Sequence, residues 1–259
     1  MKKINPGIIV TLLVSSLISL QGCATEQPSL KIEDSLPASK LAYYNDSFDK
    51  MREDIWEKAG FIYQKEQLRN YKYANMQVQN GQLIIKTQIG SFSKGGLVAK
   101  YCMKGDFDIQ IDSEINFLRG AQDLDQILSF AVLEKGPVPE KKRLLAISLI
   151  KVGQEGSGIF SSYRGGRVIL GKSWYPTGNF RGSLRIVRAG NKVSTYYKKE
   201  GGSWKKRDTF PSSGGHARVG LVVQNYAMQR TSIHATAPVI GKLDNFRINA
   251  AQDIIEEEI

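Results

Sequence analysis

Two cysteines and two histidines among 259 residues are too few for a zinc site assembled from several such ligands, or for a disulfide framework. His216 and His234 also lack a Ser or Cys partner at motif spacing, so a hydrolytic triad has no support. Long apolar runs are equally scarce. The stretch Ile8 to Leu20 carries no charge but falls short of the roughly 20 residues that span a bilayer. Concentrated charge is absent as well. Lys plus Arg (36) exceed Asp plus Glu (25), giving +11, yet the densest basic runs are Lys141 to Arg143 and Lys205 to Arg207, three residues each. No recognition helix or zinc finger accompanies them, so nucleic acid is not an expected partner. A dispersed basic surface attracts acidic polysaccharide or anionic lipid headgroups instead.

What the chain does contain is turn-punctuated alternation. Hydrophobic residues at 41%, charged at 24% and 25 glycines describe a globular, turn-rich chain. Asn80-Gly81 lies between two short apolar runs, and this pair is the preferred two-residue hairpin turn because both positions tolerate positive φ. From Asp106 to Phe117, Phe107, Ile109, Ile111, Ile115 and Phe117 alternate with polar residues, as in a half-buried strand. Ile127 to Leu133 and Leu144 to Val152 read as central strands. Further hairpin signals fall at Arg164 to Arg167, Ala189 to Asn191 and Glu200 to Ser203, and His216 to Tyr226 and Leu243 to Asn249 close the pattern. The expected fold is all-β: one two-sheet antiparallel sandwich over residues 43–249. A short helix is expected between Ser47 and Phe61, where Phe48, Met51, Ile55 and Ala59 follow helical spacing. Residues 250–259 read as a fraying acidic tail. The glycine-rich stretch Gly153 to Gly158 joins apparent strands rather than opening a helix, so it reads as a wide turn, not a phosphate cradle.

At the beginning of the chain, Lys2 and Lys3 precede the Ile8 to Leu20 run, which has the length of a signal-peptide core. Leu20-Gln21-Gly22-Cys23 resembles the lipobox of bacterial lipoproteins. That resemblance implies a signal peptide at 1–22, lipidation of the Cys23 sulfur and a membrane contact through the lipid. Ala24 rather than Asp after the cysteine implies the outer membrane. Residues 23–42, with Pro28 and Pro37 and no sustained apolar period, read as a tether. Cys102, in an apolar run, reads as a buried structural thiol.

Asn80-Gly81-Gln82-Leu83-Ile84-Ile85, Lys94-Gly95-Gly96-Leu97, Gly105-Asp106-Phe107-Asp108 and the closing Leu243-Asp244-Asn245-Phe246 together resemble the concanavalin A-like lectin and glucanase superfamily, including its laminin-G-like members. The resemblance implies a jelly-roll sandwich and a glycan ligand. Laminarinase-like members carry Glu-x-Asp-x-Glu on one strand, and here Gln110-Ile111-Asp112-Ser113-Glu114 has the period without the first carboxylate. A retaining mechanism would need another nucleophile, for which Asp108 is the candidate. Gly105-Asp106-Phe107 moreover resembles the strand before the family's catalytic one, and the later strands lack the pattern. Asp112 and Glu114, about 6.8 Å apart along a strand, suit an inverting pair or an ordinary solvated face.

For ligand binding without turnover, the expected residues are Tyr163, Arg164, Trp174, Tyr175 and Asn225, because aromatic faces beside planar donors suit sugar rings. Trp204 reads as packing on its own hairpin. No cofactor is expected, although Asp46 and Asp244 would share a structural Ca²⁺ if the domain's two ends meet. The leading expectation is a lipid-anchored envelope protein with a non-catalytic glycan-binding sandwich. The alternatives are a glycan-cleaving enzyme and an interaction domain without a sugar ligand.

Overall fold

The computed structural model describes residues 32–59, 71–90, 92–118, 124–135, 142–152, 156–165, 168–171, 175–227 and 235–256. In chain order its elements are α1 (Ala38–Tyr44), β1 (Trp56–Lys58), β2 (Tyr71–Tyr73), β3 (Asn75–Gln79), β4 (Gln82–Lys86), β5 (Phe92–Ala99), β6 (Tyr101–Ile115), β7 (Leu124–Lys135) and β8 (Lys142–Val152). There follow β9 (Gly156–Gly165), β10 (Val168–Gly171), β11 (Tyr175–Pro176), β12 (Phe180–Ala189), β13 (Lys192–Lys199), β14 (Lys205–Pro211), β15 (His216–Ala227) and β16 (Ile240–Glu256).

Period-two alternation decides how these strands are layered. In β6, Phe107, Ile109, Ile111 and Ile115 are wholly buried, whereas Gln110, Asp112 and Glu114 between them stay partly open. The first layer runs β3-β4-β16-β6-β12-β13-β14. The second has β5, β15, β7, β8 and β9 side by side, with β1 and β2 on β5, and β10 and β11 on β9. Ala217 near the start of β15 pairs with Met103 near the start of β6, which joins the two layers at one point. Among the described residues every strand pair is antiparallel except β2 with β5. The inward faces meet through Phe130 and Phe246 (6.4 Å between centroids), through Tyr163 stacked on Phe210 (6.0 Å), and through the Ser161 and Thr195 hydroxyls at 2.8 Å. This is a two-sheet sandwich. Each aliphatic or aromatic side chain it buries contributes about 1.5–3 kcal/mol.

Between the sheets, Arg188 faces Glu134 at 3.4 Å, both 1% exposed. Glu134 also accepts from the Ser212 hydroxyl and the Ser213 amide, while Arg188 donates to the Gly105 and Gly215 carbonyls. The pair is thus fully supplied with partners, which a buried ion pair needs if it is not to destabilise the fold.

Local structure departs from expectation near both ends. The helix lies at Ala38–Tyr44, overlapping the end of the segment read as a tether, and not at 47–61. Seven residues without a side-chain N-cap cannot hold a helix alone. Buried Leu41 and Tyr44 hold it, the latter with its ring 4.6 Å from that of Tyr101. Phe48 and Ile55 are buried as their spacing suggested, but through turns, because Phe48 has a φ of 50° and interrupts any helix. The acidic tail is likewise ordered through Glu256: Ala251 and Ile254 bury themselves in β16, with Ile254 opposite Met103.

Candidate functional site

The outward face of β6 contains the carboxylates that the sequence singles out. Asp108 is 3% exposed. Its Oδ1 accepts from Arg185 Nε at 2.7 Å and from Asn249 Nδ2 at 3.1 Å, and its Oδ2 accepts from Arg185 Nη2. Arg185, 2% exposed, is in turn roofed by the rings of Tyr196 and Trp204, each centred 5.7 Å from its Cζ. A carboxylate with both oxygens committed beneath two aromatics has no path to a sugar's anomeric carbon. Asp108 is therefore a buried counter-ion and not a nucleophile.

Further along the same face, Asp112 and Glu114 line a groove of about 380 Å³ with Asp244, Asn245, Lys242 and Lys198 among its other walls. Asp112 accepts from Ser183 Oγ at 2.6 Å and from Asn245 Nδ2 at 3.1 Å. Lys242 Nζ donates to Glu114 at 2.9 Å. Asn245 reaches Asp112 because it sits at a φ of 48° where β16 loses register between Asp244 and Arg247. Asp244 stands directly across from Asp112. Burial pushes the Asp244 carboxyl above the usual range, an effect opposed by the Asn245 amide and reinforced by the negative charge of Asp112. The acidic face thus lines a cleft whose volume suits a small ligand, walled by acceptors and donors already fixed by one another.

The outward face of the second sheet is different. Leu145, Ile147 and Leu149 of β8 point into the core, so Leu144, Ala146, Ser148 and Ile150 face out. Their neighbours across the sheet include Ala131, Ser129 and Ile127 of β7, and Gly220, Val222 and Gln224 of β15. Among the described outward positions of β5, β15, β7, β8 and β9, Asp125 is the single carboxylate. The two strands after β6 therefore present no row of catalytic acids.

The expected binding residues do not converge. Tyr163 and Arg164 are adjacent on β9 and so face opposite ways: Tyr163 lies 6% exposed against Phe210, while Arg164 is exposed. Asn225 faces the interior at 1% exposure, with no hydrogen bond to either side-chain amide atom among the described residues. Tyr175 is 47% exposed beside Tyr197. Trp174 and Cys23 lie outside the described residues. What the sequence reading passed over is that Tyr196 and Lys198 share a face with the partly buried Trp204, which in sequence reads only as packing on its own hairpin; the signal is the outward alternation of β13 continued across the turn.

The two ends of the sandwich do meet, since Asp46 and Phe246 exchange backbone hydrogen bonds at 3.0 and 2.8 Å. A calcium ion is nevertheless a poor fit for Asp46 and Asp244. Asp46 accepts from the Phe48 amide at Oδ1 and from the Trp56 indole at Oδ2, both at 2.8 Å. Among the described residues no group of three or more Asp, Glu, His or Cys is placed to hold a metal.

Known structures with the same two-layer arrangement are numerous. A glycoside hydrolase family protein from Mycobacterium thermorestibile superposes with a TM-score of 0.61 at 13% identity, covering 79% of this chain and 99% of that one. The chain has the concanavalin A-like jelly-roll fold. A pseudo β-1,3-glucanase of Mycobacterium tuberculosis gives a TM-score of 0.59 at 10% identity over 83% and 98% of the two chains. The β-glucanase of Bacillus licheniformis gives 0.56 at 13% identity over 79% and 96%. No family model and no curated protein matches the sequence. At these identities the likeness concerns the scaffold, and activity has to be argued from the site.

Proposed function

We propose that this chain is a lipid-anchored protein of the bacterial cell envelope, held through Cys23 at the outer membrane, whose sandwich binds a glycan without cleaving it. The observation that carries the binding is the groove over β6, β12 and β16, where Asp112, Asn245, Ser183 and Lys242 offer a fixed array of acceptors and donors of the kind that matches sugar hydroxyls. The absence of turnover is supported by the second sheet, whose outward face has no carboxylate row, and by Asp108, which is consumed by Arg185. A fold shared with glucanases and with a pseudo-glucanase is compatible with both binding and cleavage.

Cleavage is the second reading, and one observation favours it. Asp112 and Asp244 face each other on neighbouring strands, and burial together with the charge of Asp112 raises the Asp244 carboxyl, the direction a general acid requires. Retention of the purified full-length chain on a panel of immobilised polysaccharides tests the proposal. Retention by at least one is expected, and failure on every polymer overturns glycan binding. Mass spectrometry of the chain from membranes is expected to find an acylated Cys23 at the N-terminus; an unmodified thiol would remove the anchor.

A further inference from the structure

The hairpin of β13 and β14 ends one side of the first sheet among the described residues and is strongly basic. Arg181 is spent on Glu200 at 3.3 Å and Arg207 on Asp208 at 3.2 Å, but among the described residues Lys198, Lys199, Lys205 and Lys206 make no ion pair. Edge lysines also discourage strand-to-strand aggregation, so charge by itself says little. The aromatic pair is what distinguishes this edge. Tyr196 and Lys206 are opposite one another and share the outward face, because Thr195 and Tyr197 on either side of Tyr196 are buried. Trp204 lies on that face with its ring 5.2 Å from Lys198 Nζ, and both rings are held from below by the buried Arg185, itself fixed by Asp108. An indole kept at a basic edge, partly open to solvent and pinned on its inner side by a buried ion pair, is preorganised at low entropic cost for a planar contact.

We propose that Tyr196, Lys198, Trp204 and Lys206 form a subsite for an anionic sugar residue, one bearing a carboxylate or a sulfate ester. The assignment rests on the glycan-binding reading and adds its substrate class. The apolar face of a pyranose ring stacks on Trp204 while the ammonium groups of Lys198 and Lys206 meet the acidic substituent. Lys198 also lines the neighbouring groove, so one polymer can occupy both. The groove itself, containing Asp112, Glu114, Asp244 and Glu200, takes the neutral hydroxyl-bearing portion and not the charge.

Affinity of the full-length chain is measured for a uronic-acid polymer, a sulfated galactan, a neutral β-glucan and vesicles containing anionic phospholipid. One or both anionic polymers bind about tenfold tighter than the neutral glucan, and the difference shrinks on raising salt to about 0.5 M. Which of the two binds tells carboxylate from sulfate. Trp204→Ala weakens binding about tenfold. Lys206→Glu, exposed and remote from the core, weakens it several-fold with the thermal midpoint unchanged, which guards against a folding defect in the tryptophan variant. Equal affinity for the neutral glucan, or indifference to Lys206→Glu, overturns the subsite while glycan binding stands. Binding to vesicles alone overturns it in favour of a membrane-facing edge. Retention of no polysaccharide at all removes the underlying reading as well.

Discussion

Asp108 and Arg185 show how one side chain's role depends on what covers it. In sequence, Asp108 is one of a row of alternating acids on β6; in the fold it is 3% exposed and satisfies a guanidinium that is 2% exposed. Asp108→Ala leaves that cation buried without its partner, and denaturant unfolding is expected to show a loss of about 3–5 kcal/mol. A loss under 1 kcal/mol would mean that solvent reaches the pair. Asp244 behaves oppositely. Its carboxyl is held above the unfolded-state value, so the ionised form costs stability at neutral pH, and the cost disappears as pH falls through the raised folded value toward the unfolded one near 3.8. Asp244→Asn keeps an acceptor for the Asn245 amide, which Asp244 Oδ1 now binds at 2.6 Å, and removes the repulsion from Asp112. The variant is expected to gain about 0.5–1 kcal/mol at pH 7, with the gain vanishing below pH ~4. A gain independent of pH would refute the electrostatic cause.

Strands were legible where one face is buried and the other is not. The alternation of β6 stands as read, although the strand begins at Tyr101 and ends at Ile115, and so does the Asn80-Gly81 turn, with both residues at positive φ (53° and 69°). The helix and the tail were not, for a shared reason: both are stabilised by distant partners. α1 depends on Tyr101 and on the Leu36 amide bonded to Ala251, and the end of β16 depends on β6, more than a hundred residues earlier in the chain. Local composition records neither. If the last turn of β16 belongs to the core, Ile254→Ala, at a site 6% exposed, costs about 2 kcal/mol in thermal or denaturant unfolding, whereas a frayed tail would show no change. Of the candidate site, the period of Asp112 and Glu114 was readable, but the groove was not, because its other wall comes from β12, β13 and β16. Parity separates two of the expected ligand residues: Tyr163 and Arg164 are consecutive, and a strand sends consecutive residues to opposite faces.

At the scale of the molecule, the proposed binding surface is the outside of the first sheet. There the sandwich has a groove of paired polar groups that leads to a basic edge roofed by Tyr196 and Trp204. The second sheet supplies a mostly small and apolar outer face and much of the core. The net charge, +11 for the full chain and two less once residues 1–22 with Lys2 and Lys3 are removed, draws polyanions toward the surface, and a lipid at Cys23 would keep that surface within reach of the envelope. Binding and turnover separate in one measurement: reducing ends released over prolonged incubation of the full-length chain with the polysaccharide that it retains. The account predicts full retention and no new reducing ends above the protein-free control. Release that is steady in time and abolished by Asp112→Asn would contradict it and make the groove an active site.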